Sequence, residues 1–98
     1  MREPFAKNVR AHIFVTGRVH GVFFRENTRE RANSFGITGW IKNIDDDQVE
    51  AVLEGNREKV ENIIQWAGKG PMLARVTKID VRWEEYKGEY NNFEVINN

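Results

Sequence analysis

The segment VRAHIFVTGRVHGVFFR, from Val9 to Arg25, sets the reading of this 98-residue chain. Val9, Ala11, Ile13 and Val15 alternate with Arg10, His12, Phe14 and Thr16, the period-two pattern of a strand with one buried face. Gly17 to Gly21 interrupts that pattern. A helix is predicted from Val22 to Phe35, with Phe24, Thr28, Ala32 and Phe35 along one side, and Gly36 supplies its stop.

Working outward, Ile37 to Ile44 predicts a second strand, and Asp45, Asp46 and Asp47 form a turn. Gln48 to Glu54 predicts a third strand, with Val49, Ala51 and Leu53 in phase. So short a connection makes these two strands antiparallel neighbours. Asn56 is a candidate N-cap for a second helix whose buried stripe is Val60, Ile63, Ile64 and Ala67, ended by Gly68-Lys69-Gly70-Pro71. A fourth strand is predicted over Ala74 to Trp83, with Ile79, Val81 and Trp83 on one side. A charged connection then leads to a short strand around Phe93 to Ile96. The order βαββαβ with a strand tail predicts an α+β fold: a ferredoxin-like sandwich, an antiparallel sheet with two helices on one face. Residues 1–98 are expected to form a single domain, since the chain is too short for a second core.

Lysine plus arginine and aspartate plus glutamate number 15 each, so the formal net charge is zero. A protein that wraps nucleic acid normally carries a basic excess, and no nucleic-acid partner is expected. There is no cysteine, which excludes disulfides, thiolate nucleophiles and cysteine-ligated metals. His12 and His20 lack a third partner for zinc. The aspartate run at 45–47 lacks EF-hand spacing and reads as a solvated turn. No apolar run has the length of a signal peptide or a membrane span, so no membrane association and a cytoplasmic location are expected.

The stretch GRVHGVFFR, Gly17 to Arg25, lies where a chain can turn its backbone N–H groups toward one point. Gly17 and Gly21 ease such a turn and allow close approach of a ligand. The helix start that follows adds N–H groups and the positive end of a dipole. Arg25, in the first helical turn, carries a planar fork of donors suited to a phosphoryl group. The loop lacks the GK[ST] ending of a Walker A sequence and the spacing of a Rossmann fingerprint. On spacing alone, an ordinary glycine turn beside a solvated arginine fits as well. Asn43 offers a carboxamide that could hold a water, but taken alone it reads first as a cap on the turn that follows. Trp40 reads as core packing.

GRVHGVFFR followed by ITGWIKN resembles the acylphosphatase family, whose signature runs approximately G-x-V-Q-G-V-x-F-R and then G-W-V-x-N. The resemblance extends to Val49 and Gly55 and to the GP-x-x-A-x-V piece, here Gly70, Pro71, Ala74 and Val76. His20 stands where the family usually has glutamine, Ile41 replaces a smaller apolar residue, and Asp47 occupies a turn position normally held by glycine. The last change reads as an aspartate accepting left-handed geometry.

The resemblance implies an acylphosphatase that hydrolyses the carboxyl–phosphate bond of acyl phosphates, releasing a carboxylate and inorganic phosphate. It implies that Arg25 and the backbone N–H groups of Arg18, Val19, His20, Gly21 and Val22 bind the phosphoryl oxygens, and that Asn43 orients the attacking water. Such chemistry demands positioning and charge stabilisation, with no metal or cofactor, and a monomer is expected to suffice. His20 is left with two readings, a donor to phosphate when protonated or a spectator facing solvent. Three rivals remain: an anion-binding module without turnover, an RNA-binding sheet using Phe14, and a carbamoyl-phosphate domain of a larger maturation enzyme.

Overall fold

The computed structural model describes residues 7–97, in the order β1 (Asn8–Arg18), α1 (Phe24–Phe35), β2 (Thr38–Ile44), β3 (Gln48–Asn56), α2 (Arg57–Ala67), β4 (Arg75–Glu84) and β5 (Phe93–Ile96). The strands form one sheet in the order β4-β1-β3-β2-β5. The first four of these run antiparallel to their neighbours, as expected of the sandwich. β5 adds beside β2 in parallel, so the sheet is mixed at that edge. Segment 85–92 leaves β4 at one edge and delivers β5 to the other, reversing direction on the way.

Both helices cover one face. Ala11, Ile13 and Val15 of β1, Val49, Ala51 and Leu53 of β3 and Ile41 of β2 meet Phe24 and Ala32 of α1 and Val60, Ile63 and Ala67 of α2, all buried. Each large side chain buried there contributes about 1.5–3 kcal/mol. Asn56 caps α2 as its position predicts, its Oδ1 accepting from Lys59 N–H at 3.1 Å. Gly36 (φ 71°) ends α1, and the N–H of Ile37 returns to the Ala32 carbonyl at 2.8 Å.

Several expectations need correcting. α1 begins at Phe24, because Phe23 adopts φ 65° and cannot join a helix, while Val22 is buried as an anchor of the loop. The left-handed residue of the β2–β3 turn is Asp45 (φ 52°), and Asp47 has no positive φ. Trp83 shares a side of β4 with Ile79 and Val81, yet it is 48% exposed on this edge strand, with the Arg57 guanidinium 5.3 Å above its ring. Trp40 is outside the core between sheet and helices: it lies half-buried on the other face and donates through Nε1 to the Tyr90 hydroxyl at 3.1 Å.

That other face is crossed by segment 85–92. The buried Glu54 carboxylate accepts from the N–H groups of Lys87 (2.8 Å), Gly88 (3.3 Å) and Glu89 (3.3 Å) and from Arg10 Nη1 (3.2 Å). Arg10 Nε also donates to Glu84 at 2.8 Å, and His12 lies between Glu50 (2.7 Å) and Glu84 (3.2 Å). Burial pushes the Glu54 carboxyl up, but the Lys87 N–H, the Arg10 guanidinium and the next two N–H groups outweigh it and hold its pKa below the ordinary carboxylate value. The bond from Arg10 holds Glu84 low as well. No helix of the described residues is long and apolar enough to cross a membrane.

Candidate active site

β1, β2 and β5 run in the same direction, so their C-terminal ends lie together at one end of the sheet. β1 delivers the loop there, β2 delivers Asn43, β5 delivers Asn97, and α1 starts there. The topology thus gathers residues spread over eighty positions of chain.

The loop is fastened by its side chains and leaves its backbone available. Val19 and Val22 are buried, while Arg18 and Gly21 are exposed. Among the described residues, none of the N–H groups from Val19 to Val22 donates to a backbone carbonyl. The two glycines serve different needs. Gly17 (φ 139°) sits at a register shift between β1 and β4, where a Cβ would fall 2.0 Å from the Arg75 carbonyl oxygen. Gly21 (φ 72°) has open space around it, so there it is the backbone conformation that favours glycine.

Phe23 is the unexpected member of the loop. A bulky residue in the left-handed region costs about 1–2 kcal/mol. It is held by Asn27, whose backbone N–H (3.0 Å) and side-chain Nδ2 (2.8 Å) both donate to the Phe23 carbonyl. Strain over-determined in this way typically accompanies functional sites.

Arg25 is half-buried, and its Nη1 donates to Asn97 Oδ1 at 3.0 Å. A cavity of about 330 Å³ opens between them, lined by Val19, Gly21, Phe23, Arg25, Val95 and Asn97 among others. Glu26 also borders it and is paired with Arg29 at 2.6 Å. Asn43 does not line that cavity. It follows Ile41 by two residues, on the helix-covered face, in one row with Val49 and Val15, and its Oδ1 is screened from solvent.

His20 does not face solvent as a spectator would. Its ring is half-buried, and Nε2 meets the Gln48 carbonyl oxygen at 2.7 Å. A carbonyl only accepts, so Nε2 carries the proton. Two further bonds join the same segments: Gly17 N–H to the Asp47 carbonyl at 2.8 Å, and Gln48 Nε2 to Thr16 Oγ1 at 3.0 Å. Three hydrogen bonds thus tie the end of β1 and the loop to residues 47–48. Sequence reasoning missed this bond and Asn97, because both depend on which strands lie side by side.

The fold is an α+β sandwich in which a glycine-bearing loop feeds the first helix beside Arg25. The profile of the acylphosphatase family matches residues 11–95, and the chain belongs to that family. A Pyrobaculum calidifontis protein named acylphosphatase is 53% identical over 89 residues, covering 90% of this chain and 81% of that one. The structure of an acylphosphatase from Coxiella burnetii superposes with a TM-score of 0.86 at 33% identity, over 92% of this chain and 94% of that one. Full-length HypF matches with a TM-score of 0.82 at 25% identity, over 97% of this chain but only 12% of that one. The chain is a hydrolase acting on acyl phosphates.

Proposed function

We propose that the cavity beside Arg25 holds the phosphoryl group of an acyl phosphate, with Arg25 and the N–H groups of Arg18, Val19, His20, Gly21 and Val22 around its oxygens. The observation that supports this reading is the lining of one cavity by Val19 and Gly21 of the loop, by the first residue of α1 and by Arg25. Asn43, carried to the same end by β2, orients a water for attack on phosphorus. The new P–O bond forms as the bond to the carboxylate oxygen breaks. The carboxylate leaves with its electron pair, and the proton lost by the water passes to phosphate or solvent.

A carboxylate is a good leaving group and needs little protonation, which suits a site without a general acid poised over it. The charge that builds on the equatorial oxygens is of the kind that amides and a guanidinium can receive. The reading requires no metal or cofactor. It also takes residues 1–98 as a single domain, working as a cytoplasmic monomer without a nucleic-acid partner. The strap of residues 85–92 and the zero net charge favour that last point over an RNA-binding sheet.

The test is to follow benzoyl phosphate with purified, folded protein in EDTA, beside Asn43→Ala. Turnover well above the spontaneous rate, lost mainly from kcat in the variant while inorganic phosphate still inhibits, is expected. Full-speed turnover by Asn43→Ala would remove Asn43 from the mechanism.

A further inference from the structure

We infer that the exposed ring of Phe23 divides the phosphoryl cavity from an acyl-binding groove, and that this groove selects acyl phosphates with apolar, bulky acyl groups. The inference rests on the phosphoryl placement proposed above. Phe23 is 70% exposed, although apolar surface is normally withdrawn from water, and its strained backbone is held by Asn27. Its ring borders both the phosphoryl cavity and a second cavity of about 600 Å³.

The second cavity is walled by Trp66, Pro71, Met72 and Leu73, with Met72 94% exposed. Its polar lining is Asn27, Arg31 and Lys69, and the Arg31 guanidinium stacks over Trp66 at 4.4 Å. No carboxylate belongs to that lining, so nothing in it repels an anionic substrate. An acyl phosphate seated by its phosphoryl end must send its acyl group out past Phe23. The apolar wall on the far side of the ring is continuous with the loop through Val22 and Phe23, which gives that group a surface to cover. An acetyl group is too small to reach it, and a benzoyl group can stack on Phe23 and meet Met72 and Leu73.

The experiment compares kcat/KM for benzoyl phosphate and acetyl phosphate in the wild type, Phe23→Ala and Met72→Glu. Met72→Glu places a charge on a fully accessible wall, away from the loop, so folding is not at stake there. The benzoyl-to-acetyl ratio is expected to fall about tenfold in Phe23→Ala and several-fold in Met72→Glu, the size of a lost apolar pocket contact. Inhibition by inorganic phosphate is expected to stay unchanged in Met72→Glu, whose side chain lies outside the phosphoryl cavity. A ratio unaltered in both variants, in protein that turns over both substrates, overturns the groove. Absence of turnover with either substrate in the wild type instead overturns the phosphoryl placement on which it rests.

Discussion

The Nε2 atom of His20 donates to the carbonyl oxygen of Gln48 across 2.7 Å, tying the loop between β1 and α1 to the start of β3, at the end of the β2–β3 turn. That turn follows Asn43 directly. The bond therefore sets the distance between the group proposed to hold the phosphoryl oxygens and the one proposed to place the water. His20→Ala should lower kcat by about tenfold, the rate equivalent of one such bond. His20→Gln, whose amide can donate to the same carbonyl, should retain most of the activity. Coincident pH–rate profiles for wild type and His20→Gln are expected. A profile that loses a limb in His20→Gln would make the imidazole a proton carrier after all.

Arg25 and Asn97 should separate cleanly in kinetics. Arg25→Ala is expected to reduce kcat/KM for benzoyl phosphate by roughly 10²–10³, the loss seen on removing a main donor to developing charge. Arg25→Lys should recover only part, because an ammonium cannot present a planar fork. Asn97→Ala removes only the acceptor that orients the guanidinium, and steady-state assays should show a few-fold rise in KM.

The glycines of the loop predict opposite kinds of damage. Gly17→Ala drives a Cβ into the Arg75 carbonyl and should disrupt the pairing of β1 with β4, visible as a large drop in urea midpoint. Gly21→Ala meets no atom and should cost only about 1–2 kcal/mol of backbone strain. Its sharper effect should be on activity, since the strain is relieved by turning the loop amides. Equal urea midpoints for the two variants would contradict this account.

Glu54 and Glu84 give the fold an acid limit. Both carboxyls have folded pKa values below the ordinary 4.5, so the unfolded chain takes up protons first as pH falls. Their stabilisation is fully present above about pH 4.5 and is lost progressively below it, toward the folded values. Thermal melts should show Tm dropping through that window. Glu54→Gln should lower stability by about 3 kcal/mol at neutral pH, the lower end for breaking a buried pair, and flatten the acid slope.

Local patterns carried much of this structure. Alternation in Val9 to Val15 and the three-aspartate turn gave β1 and the β2–β3 hairpin, and Gly36 and Asn56 marked helix ends through their backbone and capping chemistry. Phe23 could not be read that way, because an aromatic residue in the left-handed region contradicts its own preference and is held by Asn27 only in the folded loop. Trp40 was misplaced because a large aromatic looks like core, whereas its indole N–H sits on Tyr90, fifty residues on. The parallel docking of β5 left no periodic signature in four residues, so Asn97 remained invisible. For the candidate site, spacing alone read Gly17 to Arg25 as either an anion loop or an ordinary glycine turn, and the proposed pairing with Asn43 came only through the family's motif.

The strap over the sheet has a consequence for motion. β5 is four residues long and is reached only after the chain has crossed the far face, pinned midway by Glu54. Short edge elements held by few bonds are the first to open in native proteins. When this one detaches, the antiparallel strands can stay paired while Asn97 leaves Arg25. In the proposed mechanism, the population that keeps Asn97 on Arg25 is then set by an opening equilibrium smaller than global unfolding. Amide hydrogens of Phe93 to Ile96 should exchange well ahead of those in β1 and β3, and activity should fade on warming before the bulk of the sheet melts.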